Sequence, residues 1–141
     1  IQAQILELLE DLQEEFGMSI LVITHDLGIV ADLADHVAVM YAGRIVESAS
    51  TRELFSNPRH PYTVGLFHSR PRLGSRKIRL DVIPGVVPNP IDFPPGCRFH
   101  PRCAHVAEDC RRTDVALLPV GPQQESRCLR VQRREIELKK Q

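Results

Sequence analysis

The run Met18-Ser19-Ile20-Leu21-Val22-Ile23-Thr24, followed at once by His25-Asp26, decides how the chain is read. It is short, nearly continuously apolar and rich in branched residues. Such a run marks a strand buried on both faces, typical of a parallel sheet under helices. Upstream, Ile1, Ile5, Leu8, Leu9, Leu12 and Phe16 recur at i, i+4, i+7, i+8 and i+11, the stripe of a helix with one buried face. Glu7, Glu10, Asp11, Glu14 and Glu15 fall mostly on the other side, and Gly17 supplies a stop signal. Downstream, Leu27 to Ala34 reads as a second helix, with Thr24 or Asp26 as its cap. Helix, buried strand and helix together predict an α/β fold.

Further along, His36 to Tyr41 reads as a strand, Ala42-Gly43 as a tight turn and Arg44 to Ser48 as the returning partner. Ser50-Thr51-Arg52-Glu53 is a capping box that starts a short helix through Phe55, stopped before Pro58. In Asn57-Pro58-Arg59-His60-Pro61-Tyr62-Thr63, Pro61 takes the favoured first position of another helix, with Tyr62, Leu66 and Phe67 on its buried side. Arg70 to Pro95 is rich in Pro with Gly turns and is expected to be irregular, apart from a short strand around Leu80, Val82 and Ile83. The charged segment Arg130 to Gln141 is expected to be a frayed, solvated helix.

Bulk properties exclude several classes of function. The chain has 141 residues and a formal net charge of zero, so no global field draws nucleic acid or an anionic membrane. No apolar run approaches the roughly 20 residues that span a bilayer, and no signal-peptide pattern opens the chain. Trp is absent and aromatics are few, which disfavours stacking on single-stranded nucleic acid. The chain opens on Ile1 inside a helical pattern, as a piece of a longer protein would.

Two places can carry chemistry. His25 stands at the carboxyl end of the expected strand and beside a helix start, where open α/β sheets bind ligands and where phosphate is favoured. A histidine there can hydrogen-bond a phosphate oxygen or hold a water near it; a plain capping role is the alternative. The second place is the stretch Gly96 to Cys128, which holds all four cysteines, Cys97, Cys103, Cys110 and Cys128, spaced C-x5-C-x6-C-x17-C. Without an export signal a disulfide framework is disfavoured, and a metal or cluster site becomes the leading use. The spacing is too wide for zinc knuckles, which use ligand pairs two to four residues apart, whereas four thiolates suit an iron–sulfur cluster. Zinc stays open as the alternative, with His100 and His105 as further ligands. Arg98, Arg102, Arg111, Arg112, Arg127 and Arg130 lie close enough in sequence to offset the negative charge of four thiolates.

The stretch Val22-Ile23-Thr24-His25-Asp26-Leu27 resembles the switch-histidine motif of ABC-transporter ATPases, and His36 to Glu47 resembles the hairpin that follows it. Glu53-Leu54-Phe55-Ser56-Asn57-Pro58-Arg59-His60-Pro61-Tyr62-Thr63 is similar to the "HPY" extension of the ATP-binding subunits of bacterial oligopeptide and dipeptide importers. Ile83-Pro84-Gly85-Val86-Val87-Pro88 and Pro95-Gly96-Cys97-Arg98-Phe99-His100-Pro101-Arg102-Cys103 resemble the C-terminus of the same subunits.

The resemblance implies the C-terminal part of a P-loop ABC ATPase domain followed by an irregular, cysteine-bearing extension. It divides the chain into residues 1–48 (nucleotide-binding domain), 49–82 (HPY connector), 83–130 (Pro-rich approach and cysteines) and 131–141 (charged tail). It gives His25 the γ-phosphate of ATP and the attacking water. It gives the four cysteines a [4Fe-4S] cluster of structural role. It implies Mg-ATP in the parent protein, a second ATPase subunit, two integral membrane permease subunits, indirectly an extracytoplasmic peptide-binding protein, no nucleic acid, and a place on the cytoplasmic face of the membrane. The phosphate-binding loop G-x-x-x-x-G-K-[ST] and the signature S-G-G-Q are not in residues 1–141. These residues alone are therefore expected neither to bind ATP appreciably nor to hydrolyse it. A stand-alone metal-binding interaction module is the rival reading.

Overall fold

A computed structural model describes residues 2–69 and 82–138. The chain divides into two compact units, Ile1–Asp35 and His36–Gln141.

In the first unit α1 spans Gln2–Phe16 and ends at Gly17, as the stripe and stop signal predict. The second helix, α2, spans Leu27–Leu33, and Asp26 is its N-cap, with Oδ1 accepting the Gly28 N–H at 2.7 Å. The expected strand Met18 to Thr24 is not formed. The run is unpaired chain, with Leu21 89% and Ile23 93% exposed. A strand exists only through its neighbours, and a doubly buried one needs a sheet on both edges and layers on both faces; the first unit has no strand among its described residues. The stripe of α1 shares this state, since Ile5, Leu8 and Phe16 are exposed.

The second unit is built on two hairpins. Strands β1 (His36–Tyr41) and β2 (Arg44–Ser50) form the expected pair. Both residues of the Ala42-Gly43 turn take positive φ, 47° and 75°, the backbone hand that matches the twist of paired strands. Two further strands, β3 (Leu118–Gly121) and β4 (Gln124–Ser126), were not foreseen, because Pro119 and Pro122 and the polar run behind them hide any alternation. β4 pairs with β2, giving one antiparallel sheet in the order β1-β2-β4-β3. Helix and sheet are thus mixed as predicted, but the sheet is antiparallel and not parallel among the described residues. Pro119 sits on an edge strand, where a missing N–H costs no ladder bond.

Helix α3 (Thr51–Ser56) starts at the predicted cap, with Ser50 Oγ accepting the Glu53 N–H at 3.3 Å. Helix α4 (Pro61–His68) starts with Pro61 at its first position. The core lies where these helices cover the hairpin: Val39, Tyr41, Val46, Ala49, Leu54 and Phe99 are buried together, with Tyr62, Leu66 and Phe67 packed against them as expected. Three rings meet there, Tyr41 lying 4.7 Å from Tyr62 and 5.1 Å from Phe99 between centroids. The region from Ile83 onward shares this core through Phe99, Cys97, Cys103 and Ile83. Residues 82–95 form no helix or strand, so Val82 and Ile83 are not in a strand; Leu80 lies outside the described residues. Among the described residues the tail is helical only over α5 (Leu129–Gln132) and continues without helix from Glu135 to Leu138. The predicted longer helix fails because Arg134 takes φ +59° and Ile136 and Leu138 turn back onto a small cluster with Cys128 and Val131.

Candidate functional site

The four cysteines come from four separate turns. Cys97 follows Gly96; Cys103 closes a 3₁₀ turn, His100–Arg102; Cys110 lies in a second, Glu108–Arg111; Cys128 precedes α5. Main-chain bonds fix their spacing, with Cys97 N–H donating to Cys110 C=O at 2.9 Å and Cys103 N–H to His100 C=O at 3.3 Å. Gly96 makes the first of these possible. Its φ is +72°, and a Cβ there would stand 2.5 Å from the Cys110 carbonyl oxygen, so a side chain would push the two cysteine turns apart.

All four cysteines are free and line one small cavity. His60, Phe99, His100 and His105 line it as well. Burial raises the pKa of the Cys97 thiol, and pushes Cys103 up to about 11 and Cys128 up to about 12. Main-chain N–H groups oppose that rise at the same offset each time. Phe99 and His100 face Cys97, His105 faces Cys103 (3.4 Å), and Arg130 and Val131 face Cys128. Amides arranged this way stabilise anionic sulfur, the form that a metal centre requires.

Among the described residues no three His, Cys, Asp or Glu side chains converge as they would to hold a metal ion. Neither the zinc nor the cluster reading therefore finds a preformed ligand set in this geometry. His100 is committed elsewhere, its Nδ1 donating to the Cys97 carbonyl at 2.9 Å, and His105 is exposed.

Of the six arginines, two act on the thiols: Arg127 lowers the pKa of Cys97 and Arg130 that of Cys103. The other four are engaged differently. Arg98 donates to the Ala42 carbonyl and covers the Phe93 ring at 3.7 Å. Arg102 clamps the Pro-rich approach through the carbonyls of Ile83 (2.9 Å) and Pro84 (2.8 Å). Arg111 and Arg112 pair with Glu108.

Two residues are buried in ways that the sequence did not announce. Glu47 is fully buried, and its Oε1 accepts the Arg59 N–H at 2.6 Å and the Gln124 Nε2–H at 3.0 Å. Burial raises its pKa. Pairing opposite Val39, two residues from Ala49, puts Glu47 on the inner face of the strand, and the bulge opposite Val39 and Met40 turns Val46 inward beside it. His60 is also buried. Its Nδ1 accepts the Tyr62 N–H at 3.1 Å and so caps α4. Burial drives its pKa down to about 3, leaving the ring neutral. Pro61 at the first helical position marks residue 60 as the cap; nothing in the sequence marked its burial.

His25 lies in the first unit, exposed, between Thr24 and the capping Asp26. Thr24 Oγ1 accepts the Asp26 N–H at 3.0 Å, so the two residues flanking His25 form the turn that starts α2.

Comparison with known proteins bears on both regions. Residues 46–110 match the oligopeptide/dipeptide transporter C-terminal region. The likeness extends well past it on both sides. Over 138 residues, 94% of this chain, it is 51% identical to a Brucella ovis protein whose name assigns it to peptide import and ATP binding. It is 50% identical over 84% of its length to the oligopeptide transport ATP-binding protein AppD of Bacillus subtilis, and 44% over 91% to the dipeptide transport ATP-binding protein DppD of Escherichia coli. The matches cover 41%, 36% and 39% of those three proteins, so the chain spans about two fifths of their length. These names lend no support to a stand-alone metal-binding module. Among the described residues no helix is long and apolar enough to cross a membrane.

Proposed function

We propose that this chain forms the C-terminal portion of an ATP-binding subunit that couples ATP hydrolysis to the import of dipeptides or oligopeptides. The observation that carries the reading is the collinear likeness over 94% of the chain to a protein named for peptide import and ATP binding. In this reading His25 contacts the γ-phosphate of Mg-ATP and orients the attacking water, while the phosphate-binding loop and catalytic carboxylate come from segments other than residues 1–141. The partners are a second ATPase subunit, two membrane permeases and, through them, an extracytoplasmic binding protein, with the subunit on the cytoplasmic membrane face. His25→Ala in the assembled transporter should lower ATP hydrolysis on the order of 10²-fold. Unchanged turnover would remove His25 from the mechanism.

Cys97, Cys103, Cys110 and Cys128 would hold a [4Fe-4S] cluster. When bound, it would link four turns that share only a thin core, so its binding energy would add to folding stability. The chain's own part is to present four thiols around one cavity, with amide donors at three of them and Arg127 and Arg130 nearby. Protein purified without oxygen should contain iron and acid-labile sulfide in equal amounts and absorb broadly in the visible. Zinc alone, or no metal, would sink the cluster.

A further inference from the structure

We infer that Arg44, Arg98 and Arg127 form a binding site for a phosphate group, in which Asp114 is a resident counter-ion that the ligand displaces. The site adjoins the turn of the first hairpin and lies outside the cysteine cavity.

Three guanidinium groups from distant parts of the chain are anchored around two short segments. Arg98 donates through Nη1 to the Ala42 carbonyl, and the same Nη1 would stand 3.5 Å from a Cβ on Gly43. Arg44 is the next residue, and its Nη1 pairs with Oδ1 of Asp114. Arg127 donates through Nε to the Ile45 carbonyl at 2.8 Å and through Nη1 to the Val115 carbonyl at 2.7 Å. It therefore bridges the residues that follow Arg44 and Asp114. All three arginines line one small cavity, whose wall includes Cys97 and Phe99. Arg98 and Arg127 do not line the cysteine cavity, whereas Arg130 does.

The charges gathered there do not balance. Among the described residues Arg98 and Arg127 have no ion pair, and Arg44 has only Asp114. Donors are left over as well. Of the five N–H groups of a guanidinium, Arg44 and Arg98 each spend one and Arg127 two among the described residues. Such donors form a rigid fork that matches phosphate oxygens. Asp114 already shows which charge this place takes. Arg44 foremost, then Arg127 and Arg98, hold its carboxyl below the ordinary range, so all three act on one point. It is a weak competitor, because its side chain is 71% exposed and an ion pair at the surface contributes little. A phosphate group brings about twice its charge and three acceptor oxygens.

The test is a titration of the full chain, reduced and metal-free, with inorganic phosphate at a constant ionic strength set by chloride. It is followed through the amide resonances of Gly43 and Val115. D114N removes the competing carboxylate from an exposed position and should saturate at about fivefold lower phosphate than the parent. Adding R44Q to D114N removes a charged donor and should weaken binding about tenfold. Shifts in D114N that do not saturate at millimolar phosphate overturn the proposal. So does equal affinity in D114N and the parent, or an affinity of D114N that R44Q leaves unchanged. Glycerol phosphate is the second arm: saturation by both ligands assigns the site to phosphate monoesters, and by inorganic phosphate alone to the free anion. Because the protein is metal-free and no nucleotide is present, the outcome depends neither on a cluster nor on ATP chemistry.

Discussion

The two units of this chain treat similar apolar residues in opposite ways. In the first, Leu21, Val22 and Ile23 form an apolar run that is exposed. In the second, Val39, Tyr41 and Val46 form strands that are buried, with Leu54 from α3 packed on them at zero exposure. Composition does not separate the two runs; the presence of a partner does. A hairpin carries its own partner two residues away, whereas a doubly buried strand depends on strands contributed from elsewhere.

The sharpest way to break this contrast is a pair of truncations. Leu54→Ala should cost about 2–5 kcal/mol of stability by leaving a cavity in the second unit. Leu21→Ala should change it by less than about 0.5 kcal/mol in urea unfolding of this chain. A large loss from Leu21→Ala would mean that the run is covered in solution. Next in size is Gly96→Ala, which would drive a Cβ against Cys110 and Arg112 backbone. It should cost about 1–3 kcal/mol and widen the cysteine cavity, read as faster alkylation of Cys110.

How the two units respond to pH sharpens the comparison, since both buried titratable groups of interest lie in the second. His60 has its folded pKa depressed to about 3 from an ordinary 6.5. The unfolded chain binds the proton first, so the stability due to neutral burial is complete above pH 6.5 and is lost as pH falls toward 3. Glu47 has its folded pKa raised above 4.5, so the folded state favours the protonated form. Its contribution is complete below that value and declines as pH rises through the folded pKa. Glu47→Gln should accordingly gain on the parent as pH rises from 4, checked by unfolding midpoints across pH. A constant difference between the two would show that Glu47 does not titrate on folding. Helix caps give smaller effects. Ser50→Ala should cost about 1 kcal/mol of global stability, while Asp26→Ala should fray α2 alone, seen as faster amide exchange at Gly28. Smallest of all, neutralising Glu108, which pairs with Arg112 at the surface (2.7 Å), should stay within about 0.5 kcal/mol.

Legibility in the sequence followed the range of the interactions. The hairpin, the Ser50 cap, the Pro61 start and the Gly17 stop are local, and each stood in the residues that form it. The cysteine spacing was visible, and so was the histidine at the head of α2. Hidden were the relations between distant segments. β4 reads as a polar loop until it lies against β2, and the bonds of Glu47 to Arg59 and Gln124 have no local signature. Pro61 marked a helix start after residue 60, but nothing local marked the burial of His60. Met18 to Thr24 is the converse case, a strong local strand pattern whose realisation is set by what pairs with it.

The pairing of Glu47 with Ser126 joins positions about eighty residues apart in the chain. On a ribosome adding about 5–20 residues per second, the hairpin waits several seconds for the strand that completes its sheet. Cys128 arrives two residues behind that strand. The fourth thiol and the finished sheet thus become available at nearly the same moment, and any cofactor that needs all four cysteines would be installed only after the sheet has closed.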